Sequence, residues 1–117
     1  MKCIFALLIL LISTPALAKA GSKSGVVEYI RTHDGSIHTS WEAPIFWFTL
    51  AGVTSAGSCG TWNGRVLFVM DTDHAYSMIL AAHMAGKDVG LRYDDEKRAQ
   101  SSTYCKATFI TLGSPVL

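Results

Sequence analysis

The hydrophobic pattern is densest between Arg65 and Tyr93, RVLFVMDTDHAYSMILAAHMAGKDVGLRY, and it predicts strand, helix, strand. Val66 to Met70 is an unbroken apolar run rich in branched and aromatic residues, which suits a strand covered on both faces. Asp71, Thr72 and Asp73 follow, where a helix needs side-chain oxygens for its first N–H groups and where negative charge suits the dipole. His74 to Ala85 favour helix, and Gly86 supplies the left-handed residue that ends one. Lys87 to Tyr93 returns as a strand. At 100° per residue Ala75, Met78, Ile79, Ala82 and Ala85 form a core-facing stripe. The opposite face is not charged, as a solvated face would be, but carries Ser77, Leu80, Ala81 and Met84. An apolar helix back packs either under the chain's own loops or against another subunit.

Before this unit, Gly25 to His33 (GVVEYIRTH) reads as a first strand and Asp34-Gly35 as a hairpin turn. Ser36 to Trp41 begins a return strand that Pro44 interrupts, since proline cannot donate to a ladder. Ile45 to Ala51 resumes it, with Phe46, Phe48 and Leu50 facing one way and Ile45 and Trp47 the other. Gly52 to Gly64 is a Gly- and Ser-rich loop ending in a second turn signal, Asn63-Gly64. After the helical unit, Asp94 to Thr103 reads as a solvated loop and Tyr104 to Leu112 as a last strand. The predicted class is mainly β with one helix, in the order β-β-β-α-β-β. That is the connectivity of a five-stranded OB-like barrel.

The ends of the chain are set apart by composition. Lys2, the apolar run Cys3 to Ile12 and Ala16-Leu17-Ala18 have the form of a signal peptide over residues 1–18, cleaved after Ala18 or alternatively Ala20. The apolar run is too short for a permanent membrane anchor. Residues 19–24 read as a mobile leader, 25–113 as the OB-like domain and 114–117 as a tail. Cleavage leaves 99 of the 117 residues, and the loss of Lys2 leaves nine Lys and Arg against nine Asp and Glu. A neutral domain argues against nucleic acid, whose binders concentrate positive charge, and against simple attachment to anionic lipid.

Of the three cysteines, Cys59 and Cys105 remain after processing. An even count in an exported chain reads as a disulfide, since neither a zinc site nor a catalytic thiol has partners at ligand spacing. Closing a loop of roughly 45 residues stabilises by about 4 kcal/mol in the chain-entropy treatment.

The first strand GVVEYIRTHDG, the loop SAGSC, the run RVLFVMDT and the helix end LAAHMAGKDV resemble a group of small exported bacterial domains with one disulfide. The pattern is similar in turn to the B subunits of pentameric AB toxins, notably the subtilase-cytotoxin and pertussis-like group. The resemblance implies an OB fold, assembly into a ring with helices around a central pore, and recognition of cell-surface glycans. The matching residues are Cys59, Asp71, Ala81, Ala82, Gly86, Lys87, Val89 and Cys105. They carry a disulfide, a helix cap and a helix end, and no sugar-contacting residue comes over with them.

Candidate chemistry is sparse. There is no G-x-S-x-G, H-E-x-x-H or phosphate loop, and both mature cysteines are committed. Asp71, Asp73 and His74 would make an acid-base cluster, but helix capping asks for the same oxygens. His33 and His38 flank the Asp34-Gly35 turn and approach each other across it, yet two histidines lack a third metal ligand. Trp41 and Trp62, in or near loops, are the candidate ligand-binding residues, because aromatic faces suit sugars and protein surfaces alike. Trp47 reads as packing.

The expectation is a secreted or periplasmic binding module that recognises a glycan or protein, toxin-B-subunit-like and able to form a homo-oligomer through Ser77, Leu80, Ala81 and Met84. No catalytic residue, metal or cofactor is expected. The alternatives are a small hydrolase using Asp71, Asp73 and His74, or a structural or inhibitory periplasmic protein.

Overall fold

The tightest packing starts from one short segment: all five residues of Phe46–Leu50 are buried. In the computed structural model, which describes residues 20–113, this segment is β2. The other elements are β1 (Ala20–Thr32), a 3₁₀ turn (Thr39–Trp41), β3 (Thr61–Trp62), β4 (Arg65–Met70), α1 (Asp73–Ala85), β5 (Asp88–Arg98) and β6 (Cys105–Leu112). The signal peptide expected at 1–18 and the tail at 114–117 lie outside the described residues.

Five strands pair into a closed ring. β1 joins β2, β2 joins β4, β5 joins β6 and β1 joins β5, all antiparallel, while β4 and β6 run parallel. Closure depends on the length of β1. Its first half, Ala20 to Val26, pairs with β5, and its second half, Val27 to Thr32, pairs with β2. The register slips between Val27 and Tyr29, and a bulge bends a strand and increases its twist. Where β1 changes partner, Gly25 lets Ala51 come close: an added Cβ would stand 3.0 Å from the Ala51 carbonyl oxygen. β3 is a short addition to β4 around the Asn63-Gly64 turn, whose φ angles are 52° and 77°. With β3 set aside, the order is the predicted β-β-β-α-β-β.

The core fills the ring with Phe46, Phe48, Leu50, Val66, Phe68, Val89 and Leu91, and α1 adds Ala75, Ile79 and Ala82. The buried stripe of α1 is narrower than expected: Met78 is half-buried and Ala85 exposed. Tyr76 instead reaches the core, edge-on to Phe46 at 5.2 Å. Thr72 caps α1, its Oγ1 accepting from Ala75 N at 3.2 Å. Gly86 ends it at φ 64°, its N–H donating to Ala82 and His83 carbonyls. His83 Nδ1 lies 2.9 Å from the Val27 carbonyl oxygen, tying the helix to β1. Cys59 and Cys105 form the disulfide, 46 residues apart, joining the loop before β3 to the first residue of β6.

Three expectations are corrected. Within the leader expected at 19–24, Ala20 to Ser24 are paired strand and not a mobile segment. Its small, polar residues hide a ladder whose stability comes from main-chain bonds. Ser36 to Trp41 is not a return strand. The Asp34 carboxylate accepts from Ser36 N and Oγ at 2.7 Å, and the Asp34 carbonyl accepts from Ile37 and His38 N–H. The chain therefore coils on itself, passes through the 3₁₀ turn and meets β1 again only at Phe46. Finally, the polar stretch from Asp94 is not all loop, because β5 continues to Arg98. Arg98 holds it in place through the carbonyls of Ser58, Asp95 and Thr103 and the Ser58 hydroxyl.

Candidate functional site

Alternation along β2 builds the site. Phe46, Phe48 and Leu50 belong to the main core, while Trp47 belongs to a second buried cluster with Leu67, Val69 and Ala99. Trp41, Ile45, Trp62 and Tyr104 pack around that second cluster, half-buried. The register slip in β1 supplies the rest. Val27 is in the core, and after the slip Ile30 takes up the inward phase. Arg31 and His33 are thereby turned to the Trp47 side, with Arg31 directly opposite Trp47 in the ladder. The 3₁₀ turn brings in His38 and Trp41, the β3 turn Trp62, and the residue before β6 Tyr104.

These side chains line a cleft of about 270 Å³. Trp47 and Trp62 have ring centroids 4.9 Å apart, and Tyr29 meets Trp62 edge-on at 5.8 Å. On the other wall, Trp41 contacts Tyr104 at 6.4 Å and His33 at 6.1 Å. The Arg31 guanidinium lies 4.8 Å from the Trp47 centroid and 5.3 Å from that of Trp62, an attraction between a cation and the negative faces of indoles. Among the described residues no carboxylate is ion-paired with Arg31, whereas Glu28 holds Arg65 at 2.9 Å.

His33 and His38 do come together, edge to face at 4.9 Å, though across a coiled turn and not a hairpin. Trp47 Nε1–H donates to His33 Nε2 at 3.3 Å, a bond that needs an unprotonated Nε2. Burial, His38 and Arg31 each push the His33 pKa below its ordinary value. Asp34 is held below the usual carboxylate range by its hydrogen bonds from Ser36.

The candidate residues separate by place. Trp41 and Trp62 meet in one cleft, joined by Trp47. Arg31 and Tyr104 join them without having been singled out from sequence. The signal for Arg31 and His33 was their shared alternation phase in YIRTH. Asp71, Asp73 and His74 do not form one cluster: Asp71 binds Lys106 at 3.1 Å, while Asp73 and His74 edge a shallow groove with Ser77 and Met78. Among the described residues, no three His, Cys, Asp or Glu side chains are grouped to hold a metal ion. On the helix back Ser77, Leu80, Ala81 and Met84 are all exposed, Met84 to 81%. An open groove between α1 and the end of β6, lined by Ala81, Ala85 and Leu112, adjoins it. No described helix is long and apolar enough to cross a membrane. The chain matches none of the protein-family models, curated proteins or solved structures with which it was compared.

Proposed function

We propose that the protein is an exported binding module and that its ligand, a glycan, lies in the tryptophan cleft. The observation that carries this reading is the convergence of Trp41, Trp47, Trp62 and Tyr104 in one open cleft beneath Arg31. The C–H faces of a sugar stack on indole rings, and the planar guanidinium is a fixed fork of donors for hydroxyl oxygens. The aromatic walls are also already packed, so little ordering entropy opposes binding. Export is supported by the disulfide, which persists in oxidising compartments, and by the form of residues 1–18.

The resemblance to toxin B subunits belongs to the same proposal, as does a homo-oligomer held through the exposed helix back. The hydrolytic alternative is less well supported, because Asp71 is engaged by Lys106 while Thr72 provides the cap.

Mature protein applied to an array of neutral and acidic glycans tests the reading. Binding should appear, and Trp62→Ala should weaken it at least about tenfold, roughly 1.4 kcal/mol. His74→Ala should leave it unchanged. Binding that survives Trp62→Ala, or no binding to any glycan, rejects the cleft as a sugar site.

A further inference from the structure

We propose that His33 is a positioning residue, a neutral imidazole that holds the Trp47 indole and releases it on taking up a proton, so that the cleft is set at neutral pH and loosened in acid. The functional consequence rests on the cleft being the ligand surface, but the latch itself is intramolecular.

The geometry is specific. Trp47 is only 5% exposed, and its indole N–H donates to His33 Nε2. A donor so placed needs an acceptor, since an unpartnered polar group in an apolar setting is costly. Protonated His33 has N–H on both ring nitrogens, so it faces the indole donor to donor. Trp47 supports Trp62 at 4.9 Å, and the Arg31 guanidinium sits over both, so loss of this one bond loosens three of the cleft's groups.

The charges around His33 favour its neutral form. On β1 the neighbour is Arg31, a cation on the same strand face. On the turn it is His38, whose ring touches that of His33. The carboxylates nearby are turned to other duties: Asp34 accepts from Ser36, and Glu42, whose main chain bridges to His33, lays its carboxyl over Gly35. β2 presents the neutral Trp47, and across the cleft stand Trp41 and the Tyr104 phenol. A proton arriving at His33 therefore meets the Arg31 cation and the His38 ring and, among the described residues, no carboxylate bound to it, which agrees with the lowered His33 pKa.

The test needs no ligand. Two-dimensional ¹H–¹⁵N spectra of the mature protein carry indole N–H signals from its tryptophans, and Trp47→Phe identifies that of Trp47 by its loss. Between pH 8 and 5 the Trp47 signal should move in one step with a midpoint below 6.5, the ordinary histidine value. In His33→Gln the amide oxygen accepts without titrating, so the signal should hold its neutral-pH position throughout. In His38→Asn the step should remain and move to higher pH, because one source of repulsion is gone. A Trp47 signal that stays still in the wild type, or still moves in His33→Gln, overturns the latch. Should His33→Gln fail to fold, the His33 imidazole carbon signal of the wild type decides: its midpoint must coincide with that of the indole, and separate midpoints overturn the latch. A moving indole with an empty glycan array sinks the glycan reading and keeps the latch; a still indole with a positive array does the reverse.

Discussion

Trp47 and Trp62 touch, but they bear different loads. Trp47 is closed into the second cluster with Leu67 and Val69, whereas Trp62 is half-buried on a two-residue strand. Removing a buried indole leaves a cavity as well as losing its transfer energy, so Trp47→Ala should cost about 3–5 kcal/mol. Trp62→Ala should cost far less while weakening ligand binding as much. Chemical denaturation of the two variants, read beside their glycan binding, separates a stability residue from a contact residue. Equal losses of stability would mean that Trp62 is also core and that its effect on binding is indirect. The sequence marked both tryptophans and leaned to packing for Trp47. Trp47 is packed, and its edge also faces the cleft and donates to His33. Arg31 shares an alternation phase with His33 in YIRTH, but nothing in the sequence ties that phase to the tryptophans. Its importance comes from the register slip that places it over two indoles, and a slip by one residue is invisible to alternation counted from one end.

The elements that were legible are those whose local chemistry and tertiary role agree. α1 has an oxygen-bearing residue at its start, an apolar stripe and a glycine at its end, and each is used: Thr72 caps, Ile79 is buried and Gly86 takes the left-handed conformation. Thr72→Ala should therefore cost about 1 kcal/mol, seen as a lower denaturation midpoint with unchanged glycan binding. If binding collapsed while stability held, the Asp71–His74 region would be a site and not a cap. The misread elements are those in which side-chain polarity and main-chain pairing diverge. Ala20 to Ser24 and Asp94 to Arg98 look like loops because their side chains are small or charged, yet their backbones complete the β1–β5 and β5–β6 ladders. Ser36 to Trp41 looks extended, but the Asp34 carboxylate captures the next amide and turns the chain before a ladder can form. That turn delivers His38 and Trp41 to the cleft. A two-residue hairpin there would have left the cleft without one wall.

At the scale of the whole molecule, the disulfide and the helix back decide how the ring is held and what surrounds it. Cys59–Cys105 ties the loop before β3 to β6, next to the short parallel contact of Phe68 and Val69 with Cys105 and Lys106 that closes the ring. Reduction should lower stability by about 4 kcal/mol for a crosslink of this span, measured as the shift in denaturant midpoint with and without reductant. No shift would mean that the β4–β6 closure holds unaided. The helix back makes the larger claim. The core takes Ala75, Ile79 and Ala82 from α1, leaving Leu80 at 37% and Met84 at 81% exposure with small Ser77 and Ala81 on the same exposed side. Small residues let a second helix come close, and burying one large apolar side chain contributes about 1.5–3 kcal/mol. Leu112 at 39% exposure extends the apolar surface past the groove beside Ala81 and Ala85. We expect the mature protein to self-associate through this face, and light scattering at tens of micromolar, an order-of-magnitude choice, to give a mass above that of one chain. Leu80→Glu combined with Met84→Lys should reduce that mass to a monomer while circular dichroism and the unfolding midpoint stay close to wild type, because neither side chain belongs to the buried stripe. A wild-type monomer rejects the interface outright. A double variant that remains associated moves the contact elsewhere, and one that unfolds shows that Leu80 stabilises the folded chain itself.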